Sequence, residues 1–163
     1  MLNYNIRACT QEDIGTLVEI IRKSFRPVAG RFGLTPENAP RHPSNCTDHW
    51  IKFDMDRGVV YFVAEDENQV GGCVAVEKSF SRTCFIERLG VLPEQRGKGL
   101  GKALINHALS KARELGAENV SIGIISQDTE MKDWYKKIGF VEKETKEFLH
   151  LPFQVTFMSY KLK

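Results

Sequence analysis

The sequence runs to 163 residues, the length of one ordinary domain. Its 42% hydrophobic and 27% charged residues sit near the average for soluble globular proteins, which disfavours disordered, collagen-like and coiled-coil readings. A net charge of +2 gives no global attraction to nucleic acid or an anionic membrane, so any anion the protein binds must be caught by a local arrangement.

Tyr4 to Cys9 alternates as a short strand. Thr10 and Asp13 then form a capping box. Ile14, Leu17, Val18, Ile21 and Phe25 recur at helical spacing, which predicts a helix to about Ser24. Residues 26–49 break the pattern with Pro27, Pro36, Pro40 and Pro43 and are expected to form a long irregular segment. Thr47 opens a short helix through Trp50, Ile51 and Phe53. Three strands follow, Val59–Asp66, Val70–Ser79 and Thr83–Leu92, joined by turns at Glu67-Asn68-Gln69 and Ser81-Arg82. Such short connections imply an antiparallel meander. The run Gln95 to Gly101 leads into an amphipathic helix that ends at Gly116. Asn119–Ile125 reads as a strand, and Asp128 or Thr129 caps a helix through Trp134 and Tyr135 that ends at Gly139. Phe140–Phe148 and Val155–Leu162 are the last strands. The layout is a meander followed by β-α-β-α-β-β, an α/β fold with one sheet flanked by helices.

The start Met1-Leu2-Asn3-Tyr4 lacks the basic patch and apolar run of a signal peptide. No stretch approaches the roughly 20 apolar residues of a membrane span. Cys9, Cys46, Cys73 and Cys84 show neither C-x-x-C spacing nor a nearby histidine at metal-ligand spacing. Reduced thiols in a cytoplasmic protein without a metal are expected.

Gly97, Gly99 and Gly101 lie between a strand end and a helix start. Glycines there let backbone approach a ligand, and the first helical turn offers unpaired N–H groups and the positive end of the dipole. With Arg96, Lys98 and Lys102 nearby, the loop suits a pyrophosphate. It is not a Walker loop, because Ala103 follows Gly101-Lys102. Nor is it a dinucleotide fingerprint, whose third glycine would fall at Lys102.

The run RLGVLPEQRGKGLGKALI resembles the signature of the GNAT superfamily of N-acetyltransferases, with Arg96, Gly99 and Gly101 on its Q/R-x-x-G-x-G/A core. The block DWYKKIGF, Asp133 to Phe140, is similar to the family's helix-to-strand element. The resemblance covers nearly the whole chain, most closely from Phe85 to Phe140. It implies a single domain over residues 1–163. The fold would be a mixed, mostly antiparallel, twisted sheet, splayed at the acyl-CoA site. The co-substrate would be acetyl-CoA and no metal would be needed. The resemblance assigns the pyrophosphate to backbone from Arg96 through Gly97, Lys98, Gly99, Leu100 and Gly101 to Lys102. It assigns the pantetheine arm and acyl carbonyl to the backbone of Leu89, Gly90 and Val91. Gly90 suits a bulge there, where an exposed N–H could hold a developing oxyanion.

An amine near pKa 10 arrives protonated and must lose a proton before it attacks the thioester. Glu87 is the candidate base, placed by period 2 on the face of Leu89 and Val91 and in apolar surroundings that raise its pKa. The alternative is an ion pair with Arg88 or Arg7. Tyr135 matches the family's tyrosine that protonates or hydrogen-bonds the CoA sulfur; the alternative is packing beside Trp134. Asp128 stands where many relatives carry a CoA-contacting asparagine and is read here as a helix cap. His107 is expected to be a core residue.

The family's acceptor pocket maps to residues 26–49 and Phe148–Phe153, which nominates Phe25, Arg26, His42 and His150. Arg26, Arg31 and Arg41 would suit a carboxylate, so the expected acceptor is a small amine carrying a carboxylate or other polar groups. The expected reaction is direct transfer of an acetyl group to a primary amine in a ternary complex. Alternatives are a non-catalytic acyl-CoA sensor or interaction module of the same fold, and a nucleotide-phosphate-binding domain, against which the Tyr135–Phe140 block argues. Exposed strand edges near the C-terminal end permit a homodimer.

Overall fold

The computed structural model describes residues 3–67 and 69–163. The Met1-Leu2 start and Asn68 of the expected turn lie outside the described residues. Seven strands form one sheet in the order β1-β2-β3-β4-β5-β7-β6. They are β1 (Asn5–Ala8), β2 (Val60–Glu65), β3 (Val70–Lys78), β4 (Thr83–Val91), β5 (Asn119–Ile125), β6 (Val141–Glu147) and β7 (Gln154–Lys161). Four helices flank them: α1 (Ile14–Phe32), α2 (Asp48–Asp56), α3 (Leu100–Glu114) and α4 (Thr129–Ile138). Every neighbouring pair is antiparallel except β4 with β5. The meander and the β-α-β-α-β-β layout are as the sequence implied, and no helix among the described residues is long and apolar enough to cross a membrane.

Strand alternation sorts the core into two layers. Val74, Val76, Cys84, Ile86, Val120, Ile122 and Met158 face α3 and α4, where Leu100, Leu104, Ile105, Leu109 and Tyr135 cover them. Tyr61, Val63, Cys73 and Ala75 face the other way, under Leu17, Ile20 and Ile21 of α1 and Ile51 of α2. Each buried large aliphatic side chain contributes roughly 1.5–3 kcal/mol, so these stripes fix which side of the sheet each helix occupies. His107 packs its ring on Phe62 at 4.6 Å, a core contact as expected.

The first helix corrects one expectation. It continues through Pro27 to Phe32, so the irregular segment begins at Gly33 rather than residue 26 and is itself interrupted by a 3-10 turn at Pro43–Asn45. Proline's fixed φ is compatible with a helix; what it removes is a donor for the carbonyl four residues back and room beside it. The helix tolerates this because other contacts hold its far end. Ala29 is buried, Gly33 takes a left-handed cap at φ 62°, and the Leu34 N–H closes on the Ala29 carbonyl at 2.8 Å. Arg31 reaches Asp128 at 3.1 Å, tying the end of α1 to the start of α4.

One glycine lets elements touch. A Cβ on Gly72 would lie 2.8 Å from the Gly90 carbonyl oxygen and 2.9 Å from Leu104 Cδ1. By contrast, a Cβ on Gly30 in α1 would meet nothing within 4 Å. Gly72→Ala should therefore destabilise the fold by about 1–3 kcal/mol. Gly30→Ala should stabilise it by roughly 0.5–1 kcal/mol through helix propensity. Denaturant melts of the two variants test both signs.

Candidate active site

The parallel ladder between β4 and β5 is short. Thr83, Cys84 and Phe85 pair with Asn119, Val120 and Ser121, and then pairing stops although both strands continue. The facing edges of β4 beyond Phe85 and β5 beyond Ser121 are left open, as the expected splay requires. β4 runs out of this gap into the glycine loop. Gly97 and Gly99 hold φ of 79° and 84°, a conformation that costs other residues energy. Gly101 serves packing instead: a Cβ there would lie 3.3 Å from Trp134 Cζ2. From Gly97 to Lys102 no backbone N–H finds a protein acceptor among the described residues, and Gly99 caps α3 without a side-chain bond. Unsatisfied donors at a helix N-terminus form an anion site.

The cations of the loop divide. Lys98 and Lys102 are exposed. Lys98 Nζ also reaches Gln95 Oε1 at 3.3 Å, an oxygen that accepts from the Tyr4 hydroxyl at 2.6 Å. The Arg96 guanidinium turns inward. It donates to the Val91 carbonyl at 3.1 Å and the Ser24 carbonyl at 2.7 Å. Ser24 is three residues before Pro27, in the turn the proline loosens, so Arg96 fastens that turn to the end of β4. Its side chain is structural and its backbone N–H is already donated to the Pro93 carbonyl at 3.3 Å, so the expected anion contact from Arg96 is corrected and the free amides begin at Gly97.

A bulge in β4 changes which residues share a face. Cys73 pairs with Gly90 and Ala75 with Glu87, so Val74 alone opposes Arg88 and Leu89. Arg88 adopts φ 52°, in the left-handed region. The bulge is thus at Arg88-Leu89, not at Gly90. Gly90 lies in the ladder and is small because α1 crosses it: a Cβ there would lie 2.8 Å from Ser24 Cβ. With one extra residue the alternation inverts. Leu89 and Val91 pack toward α3, whereas Glu87 stands beside Ala75 toward α1 and α2. The expectation that Glu87 shares a face with Leu89 and Val91 is therefore corrected.

Glu87 has neither of its expected ion-pair partners. Arg7 binds Asp13 at 2.8 Å and Glu65 at 2.6 Å. Arg88 Nη1 donates to the Asp54 carboxylate and the Tyr61 hydroxyl. Tyr61 in turn donates to Asp54 Oδ2 at 2.5 Å, and Arg57 meets Asp54 Oδ1 at 2.9 Å and also Glu77. Asp54 and Tyr61 are buried, and burial holds the Tyr61 phenol well above its usual range, as a donor. Burial also pushes the Glu87 carboxyl above the ordinary glutamate range, against the opposing pull of the Arg88 cation. Sequence reasoning missed Asp54, Tyr61 and Arg88 as one unit. The available signal was the carboxylate on the inner face of a short amphipathic helix.

Tyr135 lies on the other side of the gap. Its ring packs on Trp134 at 4.9 Å and Phe140 at 5.2 Å, and burial raises its pKa, which keeps the hydroxyl protonated. That hydroxyl bonds no side chain or backbone group among the described residues. Asp128 caps α4 by accepting from the Met131 N–H at 3.3 Å, as expected, and binds Arg31 as well.

Of the acceptor-side candidates, the structure brings Phe25 and His42 together, with ring centroids 5.9 Å apart. His42 Nδ1 accepts the Ser44 N–H at 3.2 Å, which leaves the ring proton on Nε2. Burial pulls the His42 pKa down to about 4. Arg26 lies apart from this pair, in a hollow of about 350 Å³ with Lys23, Pro27, Pro93 and Glu94. His150 sits after β6 against Phe148 at 5.8 Å, with no contact to the His42 group.

A gap between two strands admits an extended thioester arm, and with an anion loop at one end and proton-handling groups on both faces it defines an acyltransferase site. The chain belongs to the GNAT acetyltransferase family, whose model matches residues 17–140, and it is accordingly an N-acetyltransferase. It is 28% identical over 138 residues to the uncharacterized N-acetyltransferase YjgM of Escherichia coli, covering 83% of this chain and 80% of that one. It is 35% identical over 133 residues to glucosamine 6-phosphate N-acetyltransferase 1 of rice, covering 74% and 79% of the two chains. The crystal structure of PaiA N-acetyltransferase from Thermoplasma acidophilum in complex with coenzyme A superposes with a TM-score of 0.77 at 19% identity, covering 99% of this chain and all of that one.

The state of His42 is open to direct measurement. In the unfolded chain it titrates near 6.5, and in the folded protein near 4, so folding favours the neutral ring. Its contribution to stability is complete above pH 6.5 and is lost as pH falls toward 4. Ring NMR should show one histidine neutral at pH 5, absent from His42→Asn.

Proposed function

We propose that the protein moves an acetyl group from acetyl-CoA to the primary amine of a small molecule, by direct attack within a ternary complex. The observation that carries the reading is the pair of groups on opposite faces of the β4–β5 gap, Glu87 toward α1 and α2 and Tyr135 toward α3 and α4. The free amides from Gly97 to Lys102 hold the pyrophosphate, with Lys98 and Lys102 supplying local charge. The open edge of β4 at Leu89, Gly90 and Val91 aligns the pantetheine arm and offers an N–H to the acyl oxygen as it gains charge. The acceptor enters from the α1 and α2 face, past Phe25 and His42. The whole chain serves this one domain.

The proton steps follow from the two environments. Glu87 accepts a proton from the ammonium, freeing the lone pair. Its burial-raised pKa makes it a stronger base than an exposed glutamate. The C–N bond forms as the C–S bond breaks. The Tyr135 hydroxyl donates to the departing sulfur, whose thiol pKa near 8.5 asks for little help, and the second proton that nitrogen sheds as the amide forms restores the phenol through solvent. The rice relative acts on an amino sugar phosphate and PaiA binds coenzyme A, which supports a small polar amine and a CoA thioester here.

Calorimetric titration with acetyl-CoA and CoA, with ATP and NAD as comparators, tests the cofactor. Both CoA species should bind and the others should not. Glu87→Gln should lower kcat by about 10²–10⁴-fold with CoA affinity intact. Because the base must be ionised, kcat/KM should fall as pH drops through a limb above the ordinary glutamate range, and that limb should vanish in the variant. Tyr135→Phe should lower kcat less than Glu87→Gln does. Full activity of Glu87→Gln on every accepted amine would sink the assignment of the base.

A further inference from the structure

Two of the three arginines expected to meet an anionic acceptor are otherwise engaged, and the third, Arg26, lies apart in the hollow with Lys23, Pro27, Pro93 and Glu94. Arg31 is bound to Asp128, and Arg41 lies over the Trp50 ring at 5.3 Å. Arg88 is different. Because of the bulge its side chain follows that of Glu87 onto the α1 and α2 side of the sheet. Of its guanidinium only Nη1 is engaged, by Asp54 and Tyr61, while the plane lies over Trp50 at 5.6 Å. Nε and Nη2 have no acceptor among the described residues. Neither is sealed in, since Ser24 Oγ is the one buried side-chain polar atom without a partner among those residues, and 19% of the Arg88 side chain is exposed.

We propose that the Nε–Nη2 edge of Arg88 is the acceptor-recognition site, and that the acceptor is an amine bearing a carboxylate a few bonds away, on the scale of an amino acid. The inference rests on the reading of Glu87 as the base. A guanidinium held by one nitrogen and stacked on an indole is already oriented, and its free edge matches a planar carboxylate bidentately. Charge balance supports this. Arg57 and Arg88 face Asp54 and Glu77, so the cluster is neutral before ligand arrives, and Glu87 stands beside it without an ion pair. The ammonium of such an acceptor offsets Glu87 while its carboxylate takes the free fork, so neither charge of the zwitterion is buried unpaired. A polyamine would leave the fork empty and bring a second cation against it.

The test is a panel of amino acids, their carboxamides, the corresponding decarboxylated amines, polyamines and amino sugar phosphates, assayed for CoA release. Direct binding of acid and amide to the CoA-loaded protein is measured by calorimetry. The wild type should use and bind the acids at least about 10-fold better than the amides. Arg88→Lys keeps the charge against Asp54 but lacks the fork. It should raise KM for the acids by about 10- to 100-fold, change the amides far less, keep CoA affinity, and so erase the preference. Arg88→Gln also leaves the Asp54 carboxylate unbalanced and should lose at least as much on the acids, with CoA binding as the check that it folds. Equal use of acids and amides by the wild type would overturn the proposal while leaving the base assignment standing. So would a preference for amino sugar phosphates, or an equal loss on both substrates in Arg88→Lys. A wild type that binds CoA but acetylates none of the panel would overturn the reading of Glu87 itself.

Discussion

The site depends on one backbone irregularity, the extra residue in β4 opposite Val74. A regular β4 would carry Glu87, Leu89 and Val91 on one face, and the base would point at α3 into the main core. The bulge turns Glu87 away from Leu89, onto the opposite face of the strand. It is held against its own conformational preference: Arg88 at φ 52° is in a region that costs a residue with a Cβ of order 1–2 kcal/mol. What offsets this is the bond network from Nη1 to Asp54 and Tyr61, which reaches across two neighbouring elements of the sheet and its cover.

The network in turn explains α2. A nine-residue helix is marginal alone. Here it delivers Ile51 to the core and Asp54 to the strands from adjacent turns of one face. Removing Asp54 would strand two arginines, and removing Arg88 would unbalance a buried carboxylate, so the parts are coupled more tightly than their individual hydrogen bonds suggest. The Arg96 clamp plays the corresponding part on the other side of Gly90. It joins the loosened turn of α1 to the last carbonyl of β4, and the anion loop inherits its position from that junction.

Much of this was legible in the sequence because it is written in periodicity and punctuation. The strands of the meander, the helix after the glycine loop and the cap at Asp128 follow from alternation, spacing and polar caps, and they stand within a residue or two of where the pattern put them. Two features were not legible. Pro27 looked like a stop, but the contacts that carry α1 past it, Arg31 to Asp128 and Arg96 to Ser24, connect residues 97 and 72 positions apart. The bulge left no local mark, since the residue in the left-handed conformation is an arginine and the nearby glycine serves a helix crossing instead. The need for glycine at positions 97 and 99 was readable because the loop is local; that Glu87 goes without an ion pair was not, because Arg88 is taken by Asp54, 33 residues before Glu87 in the chain.

The same bulge that separates Glu87 from Leu89 also divides the chemistry by charge. On the α3 and α4 side the gap is walled by aromatic and aliphatic groups, with one neutral donor at Tyr135. That environment keeps the Tyr135 hydroxyl protonated. On the α1 and α2 side the wall holds ionised groups arranged as a neutral cluster around Glu87. There burial raises the basicity of the carboxyl, and the cations of Arg88 and Arg57 oppose that shift. A single sheet thus offers two different environments on its two faces, apolar around Tyr135 and polar around Glu87. Extended strands with opposite faces supply that contrast over the width of one backbone.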